Sequence, residues 1–167
     1  MIKTYTNNIC TECSKRQLTC CQDSDPFLTL GDIKRISEYY GNDFYENVDA
    51  AQIYLDYVKE YDDPLWNLVT IRNGKRRVVK RANDNISCYF LTKNGCMLQT
   101  ELKPLVCRLY PYNFTEKGLF ISEAAGCPID LVGDNQPKAV GINEKDAIYW
   151  HESLYAELLE EKKRSRL

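Results

Sequence analysis

Apolar positions along this chain follow two different periods, and the points where the period changes divide it into elements. From Thr29 the period is helical: Ile33, Ile36 and Tyr40 share one face, Thr29 stands where a cap would, Asp32 follows at the third helical position, and Gly41 closes the run. The pattern predicts a helix over 29–41. A second helical period, Ile53, Tyr54, Tyr57, Val58 and Tyr61 with Pro64 beyond its end, predicts a helix over 48–61. The pattern then becomes strand-like, with Leu68 to Ile71 and Arg77 to Val79 on either side of Asn73-Gly74, a strong hairpin signal. Ser87 to Leu91 and Cys96 to Gln99 flank a second such turn, Asn94-Gly95, which would bring Cys88 close to Cys96. Pro104 opens a short helix carrying Cys107, since proline suits a first helical position. A third hairpin, Tyr112 to Ser122 around Glu116-Lys117-Gly118, leads to Cys127. Asn143 caps a long helix over 143–163, with Ala147, Ile148, Leu154, Tyr155, Leu158 and Leu159 as its apolar stripe. Residues 1–26 are polar, cysteine-rich and broken by Pro26, so they read as a loop wrapped around something other than an apolar core.

The expected architecture is therefore α+β. Small β-hairpins carry a cysteine-rich centre and pack against helices near residues 29–41, 48–61 and 143–163. At 167 residues this is a single domain spanning 1–167. A composition of 44% hydrophobic and 28% charged residues excludes a disordered or collagen-like chain. Lys and Arg number 22 against 24 Asp and Glu, a net charge of −2, which argues against nucleic acid or an anionic lipid surface as a partner of the whole protein. No run of about eighteen apolar residues is present to span a membrane, and the first ten residues contain no apolar signal region, so a cytoplasmic location is expected. Phosphate-binding loops, dinucleotide fingerprints, nucleophile elbows and H-E-x-x-H motifs are all missing.

Eight cysteines beside one histidine and two methionines change the picture. They stand at Cys10, Cys13, Cys20, Cys21, Cys88, Cys96, Cys107 and Cys127, in a tight N-terminal group and a looser later one. A disulfide framework would need an oxidising compartment and is usual in domains too small for a core. The neighbours Cys20 and Cys21 could bridge each other only with strain. Metal ligation is preferred: a thiolate is a polarisable anion suited to soft ions, and Cys10-x-x-Cys13 can face one ion from a tight turn. Zinc and iron–sulfur clusters use the same thiolates, so ligand type leaves the choice between an iron–sulfur cluster and a zinc or iron ion open. Four thiolates on a divalent ion leave about two negative charges. Lys103 and Arg108 are placed to offset them, although Arg108 reads equally as a surface arginine paired with a carboxylate. Tyr110 and Tyr112 flank Pro111 beside the expected centre.

These residues carry a resemblance. Cys10-x-x-Cys13 with Cys20-Cys21, then Leu30-Gly31-Asp32-Ile33-Lys34-Arg35-Ile36, Cys88-Tyr89-Phe90-Leu91, Gly95-Cys96 and Lys103-Pro104-x-x-Cys107-Arg108-Leu109-Tyr110-Pro111-Tyr112 are similar to the YkgJ-like cysteine-cluster family, described as zinc- or iron-chelating domains. The same residues resemble the cysteine-rich part of flagellin lysine methylases. The resemblance covers Cys10 to Cys127. It implies a cytoplasmic metal- or iron–sulfur-binding domain of the kind loosely called iron–sulfur oxidoreductases, with Cys127-Pro128 supplying a further ligand. The chain departs from the pattern in carrying Lys103 where the family has arginine and in a longer spacer between Cys13 and Cys20.

Two other features compete for attention. His151 falls on the apolar stripe of the last helix and reads as a satisfied boundary histidine. Arg72, Lys75, Arg76, Arg77, Lys80 and Arg81 form a run without an acid, which would support the alternative function: a structural zinc module presenting a basic hairpin to a protein or nucleic-acid partner. The leading expectation is a cysteine-ligated metalloprotein in redox or protein-modification chemistry, with the question of catalysis left open.

Overall fold

The computed structural model describes residues 9–16, 21–22, 24–50, 63–121 and 136–166. The architecture is α+β, with helices packed against a three-stranded antiparallel sheet and two small hairpins. Helix α1 spans Ile9–Lys15, α2 Leu30–Tyr40, α3 Pro64–Thr70, α4 Leu105–Leu109, α5 Gln136–Ala139 and α6 Glu144–Arg164. Strands β1 (Tyr45–Asp49), β2 (Ile71–Arg72) and β3 (Lys75–Val79) form the sheet in the order β1-β3-β2. Hairpins β4–β5 (Leu91–Thr92 and Gly95–Cys96) and β6–β7 (Asn113–Thr115 and Gly118–Phe120) stand apart from it.

The helix expected over 29–41 is present with its cap: the Thr29 hydroxyl accepts from Asp32 N, and the Asp32 carboxylate accepts from Thr29 N. Gly41, at φ +69°, ends it in a conformation that a side chain would strain. The helix expected over 143–163 is α6, with the Asn143 side chain accepting from Asp146 N.

The helix expected over 48–61 is corrected at its start. Val48 and Asp49 belong to β1, where Val48 pairs with Arg76 and Asp49 with Lys75, and residues 51–62 lie outside the described residues. A free strand β3 needs a partner for its second edge, and backbone pairing there outweighs the weak local helical signal at 48–49. The first hairpin keeps its turn, with Asn73 and Gly74 both at positive φ, but its first arm is shorter than expected. Leu68 to Thr70 are helical because Pro64 starts a helix here: Asp63 caps it by accepting from Trp66 N, and Trp66, Val69 and Thr70 turn inward. The N-terminal region, expected as a loop, contains α1, so Cys10 and Cys13 are one turn apart on a helix.

Two apolar clusters result. Phe27, Trp66, Val69, Leu105, Leu109, Ala147, Leu154, Tyr155 and Leu158 form one beneath α6. Leu28, Ile36, Phe44, Val79, Cys88, Phe90 and Leu98 form the other, with Cys21, Cys96 and Leu102 packed against it. Residues 27 and 28 are extended beside β3, so neighbouring side chains point to opposite faces and Phe27 and Leu28 enter different clusters. Each fully buried leucine or phenylalanine contributes about 1.5–3 kcal/mol. The thiol region is thus built into one face of a packed domain. Among the described residues no helix is long and apolar enough to cross a membrane.

Candidate metal centre

Four segments bring cysteines together. Residues 21–22 run beside 87–88, with Cys88 N donating to Cys21 O at 2.7 Å and Gln22 bridged to Ser87. On its other side this segment pairs with 80–82: Arg81 bridges Cys88, and Tyr89 N donates to Lys80 O. Asp84 fixes the connecting turn by accepting from the N–H groups of Ile86 and Ser87 and from the Ser87 hydroxyl. The β4–β5 hairpin then opposes Cys96 to Leu91, three residues beyond Cys88. Its two-residue loop is Lys93-Asn94, one position earlier than the Asn94-Gly95 turn expected, because Gly95 at φ +97° already pairs with Thr92. Cys107 arrives last, on α4, two residues after Leu105 and two before Leu109, which anchor that helix in the cluster beneath α6.

The electrostatics tie these four thiols into one neighbourhood. Burial pushes the Cys88 thiol up to about 12, against the pull of the Phe90 N–H and with a further rise from the charges Cys21 and Cys96 would carry. Burial also raises Cys96, opposed by the Leu98 N–H and the Lys103 ammonium and reinforced by Cys21. Cys107 keeps partial residue exposure, yet its thiol is enclosed, and desolvation raises it well above the ordinary value, followed by Cys21, Cys88, Cys96 and Asp32. Cys107 thus lies within the influence of Cys21, Cys88 and Cys96, and Cys88 within that of Cys21 and Cys96. Backbone N–H groups aimed at Cys88 and Cys96 stabilise charge on sulfur, which a neutral thiol does not require.

Of the eight cysteines named from the sequence, Cys21, Cys88, Cys96 and Cys107 gather here. Cys13 is buried on α1, which packs against β5, with the Thr11 hydroxyl donating to Asn94 O. Cys10 lies on the same helix, its side chain outside the description, and Cys20 and Cys127 are outside the described residues. Cys88, Cys96 and Cys107 carry no disulfide. Among the described residues no three His, Cys, Asp or Glu side chains already stand around a single point at metal-ligand geometry.

The donor chemistry fits a soft ion. The chain's only histidine, His151, is engaged elsewhere, its Nε2 lying 2.7 Å from Thr115 O and its ring against Tyr155. Of the expected supporting residues, Lys103 is the cation that acts on Cys96. Arg108 donates from Nε to Lys103 O at 2.8 Å and from Nη2 to Glu101 O at 2.6 Å, clamping the loop that leads into α4. Tyr110 terminates that helix, followed by a cis peptide to Pro111.

Asp32 was legible in the sequence only as a capping residue, and its link to α4 was missed. Its Oδ1 accepts from Leu105 N at 3.1 Å across 73 positions of sequence, a contact no local pattern reveals.

The basic run disperses. Arg76 is buried and donates to Asn67 Oδ1, Arg77 pairs with Glu161 at 2.7 Å, Lys80 with Asp43 at 2.7 Å, Arg81 with Asp25 at 3.0 Å, and Arg72 donates to Ser165. These cations pair with groups of the chain itself, which weighs against a basic surface offered to a partner.

No family model, curated protein or solved structure matches the chain.

Proposed function

We propose that this protein is a cysteine-ligated metalloprotein whose centre is built on Cys21, Cys88, Cys96 and Cys107. The observation that carries the reading is that Cys21 is hydrogen-bonded beside Cys88, Cys96 stands opposite Leu91 just beyond it, and Cys107 lies close enough to feel all three, with backbone N–H groups directed at Cys88 and Cys96. Buried thiols with raised proton affinity are held protonated until a cation displaces the protons, so metal uptake here is coupled to proton release. An iron–sulfur cluster, or a zinc or iron ion, fits this donor set, and the resemblance to zinc- or iron-chelating cysteine-cluster domains points the same way. When bound, an iron–sulfur cluster would supply one-electron redox chemistry and zinc would supply structure or Lewis acidity. The chain's own contribution is to enclose the site, place Lys103 near Cys96 and hold the Glu101–Lys103 loop through Arg108. A cytoplasmic setting keeps the thiols reduced and available.

The test is anaerobic purification of the full chain, with iron, zinc and acid-labile sulfide measured per chain and the visible spectrum recorded on the same sample. Iron with matching sulfide and a broad brown absorbance supports the redox or protein-modification reading. Zinc without sulfide supports a structural centre. Absence of both metals from protein that also takes up neither on reconstitution overturns the proposal.

A further inference from the structure

Asp32 does more than cap its own helix. It is almost fully buried at 1% exposure, and its carboxylate takes three donors from three places: Thr29 N at 3.1 Å, Arg35 Nη2 at 2.7 Å and Leu105 N at 3.1 Å. The last is the first residue of α4, the five-residue helix that carries Cys107. That helix has no side-chain cap of its own, because Pro104 stands at the cap position and offers none. Five residues form too few internal hydrogen bonds to hold a helix alone. The start of α4 is therefore fixed from outside, by a carboxylate on α2.

Asp32 is itself held. Arg35 spans Asp32 and Glu157, donating to Glu157 Oε1 at 2.6 Å, and Thr29 also donates to Glu157 through its hydroxyl. Glu161 accepts from Leu30 N at 2.6 Å, one turn further along α6. A cation, two helix starts and α6 thus fix the carboxylate in place. Gly31 makes room for this joint, since a Cβ there would collide with the Glu157 carboxylate. From within α4, Arg108 clamps the carbonyls of Glu101 and Lys103, just ahead of the helix start.

We propose that Asp32 is the positioning residue for Cys107, holding α4 through Leu105 N so that the Cys107 thiol is presented to the Cys21, Cys88 and Cys96 thiols for metal binding. This rests on the metal-centre reading above. Outer groups that fix a ligand's orientation typically change metal affinity by about 10–100-fold when removed, and that is the effect expected of Asp32→Ala.

The experiment is a Co(II) titration of the reduced, metal-free full chain, followed by the thiolate-to-cobalt absorbance, alongside thermal melting of the same metal-free samples. Wild type, Asp32→Ala, Asp32→Asn and Thr29→Ala are compared. Thr29→Ala removes the α2 cap and the Glu157 contact while leaving Asp32 on Leu105, so it measures damage to the joint alone. The expected result is a Co(II) affinity about 10–100-fold weaker in Asp32→Ala, an intermediate loss in Asp32→Asn, which keeps one acceptor oxygen, and near wild-type affinity in Thr29→Ala despite its lower melting temperature. Should Asp32→Ala fail to fold, a larger affinity loss in Asp32→Asn than in Thr29→Ala supports the proposal. Equal losses in those two, or wild-type affinity in a folded Asp32→Ala, overturn it. Wild-type protein that gives no thiolate–cobalt band overturns this inference, while the metal-centre reading is decided separately, by whether the full chain holds or takes up iron or zinc.

Discussion

The cysteines and the basic residues of 72–81 are both concentrations of one chemistry in sequence, and the fold treats them in opposite ways. Cys21, Cys88, Cys96 and Cys107 are spread over about half of the chain and come to lie near one another. Arg72, Arg76, Arg77, Lys80 and Arg81 are packed into ten residues and leave in different directions, to Ser165, Asn67, Glu161, Asp43 and Asp25. Arg76 and Arg77 are neighbours on β3, where side chains alternate between two faces, and Arg72, Lys80 and Arg81 stand outside that strand, so the run does not form one patch. Thiols on turns and short elements have no such constraint. Nearness in sequence is thus a poor guide to a site, whereas chemistry that recurs at distant turns is a better one.

The sharpest way to break this comparison is at Cys107. Cys107→Ser removes a sulfur from the proposed centre, and metal affinity should fall by more than about 100-fold, beyond the loss expected on removing Asp32. Metal content after gel filtration reads this directly, and an unchanged content would remove Cys107 from the site. A lower melting temperature should accompany the loss, since metal binding and folding are coupled.

Next in size is Arg77, on the basic side. Its Nη2 meets Glu161 Oε2 at 2.7 Å, its Nε donates to Leu28 O at 3.0 Å, and its guanidinium lies over the Phe27 ring. Arg77→Ala leaves a buried Glu161 without that partner and should cost about 3 kcal/mol in urea denaturation. Lys75→Ala, on an exposed residue at the start of the same strand, should leave the midpoint where it was. Equal effects would mean that the run acts as a surface patch after all.

A smaller effect is expected at Asp84, whose turn precedes Cys88. The Ser87 hydroxyl, then the Ile86 and Ser87 N–H groups, hold its carboxyl below the ordinary value. A lowered folded-state pKa contributes stability that is present above the ordinary carboxylate range and is lost as pH falls through the lowered value. Asp84→Ala should therefore melt slightly lower than wild type at neutral pH, with the gap closing in acid. A gap that persists unchanged at low pH would assign the effect to something other than the charge.

Much of the frame was legible because local signals were strong. Thr29 with Asp32, Asn143 before its apolar stripe and Asn73-Gly74 each act through neighbours in sequence, and α2, α6 and the first hairpin turn follow from them. The misread pieces were settled by tertiary partners. Val48 and Asp49 become strand because β3 stands opposite, and Leu68 to Thr70 become helix because Asp63 and Pro64 start one whose inner face meets the cluster beneath α6. At the candidate site, Cys88, Cys96 and Cys107 were legible as residue types, and the hairpin that follows Cys88 sets Cys96 opposite Leu91. The duties of Arg108 and Asp32 depended on carbonyls and an N–H that only the fold brings near.

X-ray absorption at the metal edge of the anaerobically purified full chain reads out the proposed sulfur surroundings of the metal without relying on any variant. The expected ligands are mostly sulfur, at about 2.3 Å for zinc, with three or more sulfurs in wild type and one fewer in any Cys107→Ser protein that retains metal. A shell of nitrogen and oxygen, or a sulfur count unchanged by Cys107→Ser, would contradict it.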